Sequence, residues 1–228
     1  MNVTERTTLH RHPERGSYDT AAIYAILDEA LICHVGFMSG THAMVVPTLF
    51  ARLDDTLYIH GSAVARMLRT LAAGVEICVN VTLVDGLVFA RSAFSHSMNY
   101  RSVSVFGRGR EVTDEEEKRC ALRATVEHVA LGRWNDARQP NEKELAATTV
   151  IAVPLAEASA KIRTGGPKDA EADYSLPIWA GVVPLSLCAS AAIDDPRNGP
   201  DARRPAYAER YTRQPQTTNG APGGAGAP

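Results

Sequence analysis

The chain has 228 residues, of which 45% are hydrophobic and 22% are charged, and its formal net charge at pH 7 is −2. This composition is typical of a globular protein with one generous domain or two small ones. The near-neutral charge gives no basic field that would attract nucleic acid or an anionic membrane. The sequence also shows neither a secretory signal nor an apolar run long enough to span a membrane.

The four cysteines are widely separated and form no Cys-x-x-Cys pair. Cys33 and Cys78 lie inside apolar segments, which indicates buried free thiols in a reducing cytoplasm. The seven histidines show no His-x-x-x-His spacing. A metal site built from these residues is therefore not expected.

The predicted elements begin after a polar arm, residues 1–18, which has no apolar periodicity. A helix is predicted over 20–30, because its apolar side chains share one helical face. Further strands are predicted over 31–38, 43–52, 57–60 and 75–83, with a helix over 63–73. Pro47 cannot donate a ladder hydrogen bond, so we expect it at a bulge or on an edge.

Asp85 and Gly86 form a dipeptide typical of a two-residue hairpin turn. The chain is therefore predicted to reverse there and to return as a strand over 87–91. A long strand is predicted next over 101–112, since valines alternate with serines at its start.

Thr113 and Glu116 have the spacing of a capping box for a helix that runs to residue 130. The later predicted elements are a short helix over 142–147, strands over 148–153 and 156–163, and an apolar segment over 178–187. From residue 190 onward Pro, Gly and Ala dominate, and the tail over 190–228 is predicted to be disordered.

Seven or eight short strands with a few helices between them indicate a mainly β (β+α) fold, closed or half-closed as a barrel. A doubly wound parallel sheet would need regular alternation of strands and helices. The sequence also lacks a Gly-x-Gly-x-x-Gly motif after a first strand. One barrel domain is therefore predicted over 19–189, between the arm and the tail.

Three polar clusters interrupt the apolar pattern. His60, Gly61 and Ser62 end a strand, and Arg66 follows one helical turn later, so that together they suit an anion. The alternative is a helix cap beside a solvated arginine. The second cluster, residues 95–102, offers hydroxyl groups, an arginine and a tyrosine, which suit a phosphorylated aromatic ligand. Its alternative is a polar surface loop that leads into a strand.

The third polar cluster is Lys161 and Arg163 at a strand end, with Trp179 a loop later. Two residues after Trp179, Gly181 allows close approach of a ligand or of a second chain. No catalytic triad, Gly-x-Ser-x-Gly elbow or catalytic carboxylate pair is present. Binding residues without an acid, base or nucleophile indicate a protein that hosts a reactive cofactor.

Short motifs in a particular order connect these clusters. They are YIHGS at 58–62, RM at 66–67, DGLVFARS at 85–92, SMNYRSV at 97–103, GRW at 132–134, KIR at 161–163 and WAG at 179–181. Taken in this order, the chain resembles the flavin-nucleotide-binding branch of the pyridoxamine 5'-phosphate oxidase-like proteins, which are related to nitroimidazole-resistance proteins. The resemblance extends over residues 11–187. It implies a split β-barrel with peripheral helices and a homodimer that binds FMN between its subunits.

The resemblance also assigns the cofactor-binding residues. The isoalloxazine would be lined by Val46, Pro47 and Thr48, and the phosphate and ribityl chain would lie by His60, Gly61, Ser62 and Arg66. The strand that faces the flavin would contribute Asn99, Tyr100, Arg101 and Ser102. From the partner subunit, Trp179 would approach the ring. Relatives often carry a serine where this chain has Ala65. Met67 replaces a lysine of the vitamin B6 oxidases, which argues against pyridoxamine phosphate oxidase activity.

The function that follows is that of an FMN-dependent oxidoreductase. It would pass electrons from a reduced nicotinamide or similar donor to a small acceptor. The alternative is a protein that stores or senses FMN, heme or another planar cofactor without turnover. Reduction of the bound flavin by a nicotinamide would distinguish the two, and the sequence assigns no catalytic residue.

Overall fold

The computed structural model describes residues 1–212 of the chain. Within these residues one connected sheet is surrounded by helices. The strands are β1 (Gly16–Ser17), β2 (Ile32–Ser39), β3 (His42–Leu53), β4 (Thr56–Ser62), β5 (Glu76–Phe89), β6 (Ser97–Arg108), β7 (Arg110–Glu111), β8 (Thr148–Pro154), β9 (Ala158–Arg163) and β10 (Gly181–Pro184). The helices are α1 (Thr20–Glu29), α2 (Arg66–Ala72), α3 (Glu115–Val129), α4 (Arg133–Asp136), α5 (Glu142–Ala146) and α6 (Ala206–Glu209). No helix in this part of the chain is long and apolar enough to cross a membrane.

The strand order is β1-β9-β6-β5-β2-β3-β4-β8-β7, and β10 pairs with β5 beyond the end of its pairing with β2. Neighbouring strands are antiparallel throughout this order. Alternate side chains of the central strands point into one apolar core, which α1 closes with Ile23, Ile26 and Leu27. The predicted mainly β split barrel with peripheral helices is confirmed.

The predicted hairpin at Asp85 and Gly86 is wrong, because β5 runs straight through this dipeptide. The dipeptide instead forms an irregularity at which the pairing with β6 shifts register. A Cβ atom on Gly86 would lie 3.1 Å from the carbonyl oxygen of Val183, so the glycine admits β10 at close range. The chain reverses only after residue 89, and β6 therefore begins at residue 97, earlier than predicted.

Two helix starts also differ from the predictions. α2 begins only at Arg66, because residues 63–65 form a turn in which the amide of Ala65 donates to the carbonyl oxygen of Ser62. α3 is capped by Asp114, whose carboxylate accepts from the amide of Glu117, so the predicted capping box is not formed. Pro47 lies where β3 pairs only with β2, which fits the predicted edge position.

One face of β2 and β3 is exposed, and we call it the outer face. Antiparallel partners point to the same side of a sheet, and Ile32 pairs with Leu49, as Met38 pairs with Ala43. Val45, which pairs with Gly36, is 68% exposed at the centre of this face. The outer face is therefore an apolar surface that the described chain leaves uncovered.

The arm and the tail both contact the barrel. β1 pairs with β9, and the guanidinium of Arg6 pairs with the carboxylates of Glu76 and Glu157. In the tail, the hydroxyl of Tyr211 donates to the carbonyl oxygen of Val129 at 2.7 Å. The rest of the predicted tail, residues 213–228, lies outside the described residues, and the domain boundaries stay predictions.

Candidate functional site

A notch opens where β3 and β4 diverge. The two strands pair only between Phe50–Leu53 of β3 and Thr56–Ile59 of β4. Beyond this point β3 continues along β2, whereas β4 continues along β8 as far as Ser62. The notch places two groups of predicted site residues, those of β3 and those of β4, on opposite banks.

The β4 bank carries polar atoms that lack partners. His60 Nδ1 is buried without a hydrogen-bond partner among the described residues, and burial lowers the pKa of this imidazole. The ring is therefore neutral at neutral pH and can serve a ligand as donor or acceptor. The Ser62 hydroxyl is exposed and accepts one long bond, 3.5 Å, from the amide of Val64.

Arg66 provides the positive charge of the notch. Its side chain is exposed, and within residues 1–212 it forms no ion pair. α2 has only seven residues and no side-chain cap, so the charge on Arg66 and the hydroxyl of Ser62, rather than the helix terminus, are suited to an anion. A Cβ atom on Gly61 would meet Leu68 at 3.3 Å, so this glycine allows α2 to lie close against β4.

On the β3 bank, only one of the predicted side chains faces outward. Pro47 pairs with His34 and is exposed. Val46 pairs with Val35 and packs against the core, while Thr48, which pairs with the buried Cys33, is half-buried. Val46 and Thr48 therefore offer a ligand mainly their backbone.

The predicted site residues of β6 are divided between the two faces of the sheet. Tyr100 and Ser102 point outward, because they pair with Val84 and Thr82 on the side that continues into the outer face. Arg101 points to the opposite side. There its Nε donates to Asp85 at 2.9 Å and its Nη2 to Glu29 at 2.8 Å. Strand alternation therefore places Arg101 in an ion-pair network, on the opposite side of the sheet from Tyr100 and Ser102, and its role at a ligand stays a prediction.

Asn99 and the KIR motif form a separate cluster. The amide oxygen of Asn99 accepts from the guanidinium of Arg163, which is buried and also donates to the carbonyl oxygens of Gly165 and Gly166. Burial lowers the pKa of Arg163, and the charge of Arg15 adds to this effect. Asn99 is therefore engaged in fixing the end of β9.

The β4 bank and the outward residues of β6 lie on strands that do not pair with each other. Four strand positions separate β6 from β4 in the sheet order. Trp179 lies just before β10, where it is 68% exposed and its ring centroid lies 6.0 Å from that of Phe89. The strand order of a single copy therefore divides the predicted site residues among strands that are not neighbours.

Sequence reasoning missed two features. The first is the outer face, whose alternating exposed apolar residues are visible in the sequence but were assigned to ordinary strands. The second is the aromatic surface around Phe89, His96 and Phe94, for which the closeness of these three rings in the sequence was the available signal. No group of three or more His, Cys, Asp or Glu side chains placed to hold a metal ion occurs in residues 1–212.

Comparisons with known proteins agree with this fold. Residues 19–162 match the family model described as pyridoxamine 5'-phosphate oxidase. The flavocytochrome Anf3 from Azotobacter vinelandii is 40% identical with a TM-score of 0.86, over 90% of this chain and 95% of that one. No curated protein matches the chain.

Two further structures are similar. An FAD and heme binding protein from Mycobacterium smegmatis is 34% identical with a TM-score of 0.81, over 84% of this chain and 94% of that one. A proposed 5-nitroimidazole antibiotic resistance protein from Bacteroides thetaiotaomicron is 26% identical with a TM-score of 0.55, over 64% of this chain and 86% of that one.

Proposed function

Because the chain belongs to the pyridoxamine 5'-phosphate oxidase family, we propose that it is a homodimeric, flavin-dependent oxidoreductase that acts on a small acceptor. The observation that carries this proposal is the division of the candidate site. The notch at His60 and the outward residues of β6 lie on different strands of one copy, four positions apart.

A second copy of the chain can complete the candidate site that one copy divides between separate strands. The outer face lies between the notch and β6 in the strand order, and it is apolar and uncovered. Two copies that pack through this face would remove Ile32, Val45 and Leu49 from water. Such a two-fold assembly can bring the β6 strand or Trp179 of one copy to the notch of the other.

The residues of the notch fit a flavin nucleotide. Arg66 and Ser62 would hold the phosphate, the first through charge and the second through its hydroxyl. The unpartnered Nδ1 of His60 would form a hydrogen bond to the ribityl chain or the ring. The backbone of Val46 and Thr48, with the ring of Pro47, would border the isoalloxazine. When bound, the flavin supplies hydride and electron transfer, and the protein supplies position and electrostatics.

The bound flavin has two candidate forms, FMN and FAD. The sequence predicts FMN, and Arg66, which forms no ion pair within residues 1–212, supports one phosphate. The similarity to an FAD and heme binding protein supports FAD. Mass spectrometry of the cofactor released from the purified protein separates the two. The same similarity, together with that to a flavocytochrome, supports heme as a second redox group of this chain.

The enzymatic part of the proposal is tested by titrating the purified flavoprotein with NADH and NADPH under nitrogen. Bleaching of the visible flavin absorbance within a catalytic time supports the oxidoreductase. A bound flavin that dithionite reduces, as the positive control, but that neither nicotinamide reduces would support a binding or sensing protein instead. A cytoplasmic location is part of the proposal, because Cys33 and Cys78 are free thiols.

Arg66→Ala should weaken flavin binding about tenfold or more. A charge-assisted hydrogen bond contributes roughly 1.5–3 kcal/mol, and about 1.4 kcal/mol is one decade in affinity. Arg69→Ala is the matched control, since Arg69 is an exposed arginine on the same helix, one turn further from Ser62. Isothermal titration of the apoprotein with flavin measures both. Equal flavin affinities of the two variants would show that Arg66 does not bind the flavin phosphate.

A further inference from the structure

The end of the sheet formed by β10, β5 and β6 carries a second exposed apolar surface. Leu87 of β5 pairs with Met98 on one side and with Val183 on the other, so these three side chains share one face. Phe89 shares this face because it lies two residues along the same strand. We call the surface formed by Leu87, Phe89, Met98 and Val183 the tip face.

Aromatic rings border the tip face. Phe89 contacts the ring of Trp179 and, in an edge-on arrangement with 5.8 Å between centroids, the ring of His96. Trp179 lies over Gly181, where a Cβ atom would be 2.8 Å from the indole. Phe94, two residues before His96, is 97% exposed. Such a concentration of exposed aromatic side chains marks a binding surface.

His96 is fixed in one tautomer. Its Nδ1 lies 3.0 Å from the carbonyl oxygen of Ser92. A carbonyl oxygen only accepts, so the proton is on Nδ1 and the neutral imidazole keeps a lone pair on Nε2. Within residues 1–212, Nε2 has no hydrogen-bond partner. Histidines that bind metals are oriented in this way, by donation from the other ring nitrogen to a backbone carbonyl.

The loop that orients His96 is itself held in place. The carboxylate of Asp169 accepts from the amides of Arg91 and Ser92 at 2.9 and 3.3 Å, and from the guanidinium of Arg91. The Arg91 guanidinium also lies over the ring of Tyr174. The Ser92 carbonyl, and with it the imidazole of His96, is therefore set before any ligand arrives.

Other histidines are less suited to bind a metal through an exposed nitrogen. His128 is buried, and its Nε2 contacts the carbonyl oxygen of Ala30 at 2.6 Å. His12 Nδ1 contacts the carboxylate of Glu14. His60 has its Nδ1 buried at the notch. His10, His34 and His42 are exposed, and within residues 1–212 no hydrogen bond fixes the tautomer of any of these three rings.

We propose that the tip face binds heme and that His96 Nε2 is an axial ligand of the heme iron. The proposal deepens the Proposed function and rests on its heme part. A porphyrin presents a flat apolar macrocycle, which the aromatic and aliphatic tip face can cover, and it supplies four of the iron ligands itself. One protein imidazole then suffices to hold the iron, so a cluster of three protein ligands is not required.

The test is titration of the purified full chain with hemin, followed through the Soret absorbance. The three proteins compared are the wild type, His96→Gly and the matched control His42→Gly. His96→Gly should lower the affinity for hemin by at least about tenfold, because loss of a group that only supports a metal ligand already costs roughly ten- to hundredfold. It should also shift the Soret band away from that of an imidazole-ligated iron. Added imidazole should restore the band in His96→Gly, whereas His42→Gly should match the wild type throughout.

The outcomes separate this proposal from the Proposed function. If His96→Gly keeps the wild-type spectrum and affinity, His96 is not the ligand, while heme binding stands. If the wild type binds no hemin but releases a flavin on denaturation, the heme site is overturned and the flavoprotein is not. If it holds neither hemin nor flavin, the Proposed function itself fails. Circular dichroism of each variant confirms that the fold is intact, which is expected because His96 and His42 are exposed.

Discussion

Val45→Glu is expected to convert the proposed dimer into monomers and to release the bound flavin. Val45 lies at the centre of the outer face, opposite Gly36 of β2, and is 68% exposed in the single chain. In the proposed assembly this side chain is removed from water. A carboxylate there would be buried without a partner, which costs several kcal/mol. The affinity between two copies should then fall by about a hundredfold or more.

The measurement is analytical ultracentrifugation at several protein concentrations, with detection at the flavin absorbance. The control is Leu131→Glu, because Leu131 is 69% exposed but lies after α3, away from the outer face. This control should remain a flavin-loaded dimer. A Val45→Glu protein that sediments as a flavin-loaded dimer would show that the outer face is not the interface.

Arg101→Ala is expected to destabilise the fold and to leave the flavin affinity unchanged. The guanidinium donates to Glu29 at the end of α1 and to Asp85 in β5, and these two carboxylates raise the pKa of Arg101. Its removal would take away the cation that these two half-buried carboxylates share. A loss of roughly 1.5–3 kcal/mol in the free energy of unfolding is expected, as for hydrogen bonds to charged groups.

Urea unfolding measures the loss, and flavin titration is carried out on the same samples. Arg108→Ala is the control, since Arg108 pairs with Glu76 at a more exposed position of the same strand, and should change stability by at most about 1 kcal/mol. The opposite result, a stable Arg101→Ala protein that has lost its flavin, would place Arg101 at the cofactor.

Local patterns predicted most of the elements correctly. The apolar face of α1 follows from the helical period of 3.6 residues, and the alternation in β6 follows from the strand period of 2 residues. The turns marked by Gly and Pro are likewise local properties of the sequence. The failure at Asp85 and Gly86 has a non-local cause. This dipeptide is also suited to a strand irregularity. Pairing with β10, which lies about a hundred residues later in the chain, favours the irregularity over the hairpin turn.

The candidate site was less predictable for the same reason. The cluster around Ser62 and Arg66 could be identified because its residues are adjacent in sequence. The side to which Arg101 points depends on the register of β6 against β5, and a shift of one residue reverses it. Its partner Glu29 belongs to α1, so the ion-pair network could not be predicted from the sequence of the strand alone. The tip face likewise arises only when three strands align.

Native mass spectrometry of the full purified chain tests the central claim most directly, because it reports the number of copies and the bound cofactor in one spectrum. The account predicts a dimer that carries one flavin per copy, with flavin lost whenever collisional activation separates the copies. A monomer that retains a flavin, or a dimer that never holds one, would contradict the proposal that the cofactor lies between two copies of this chain.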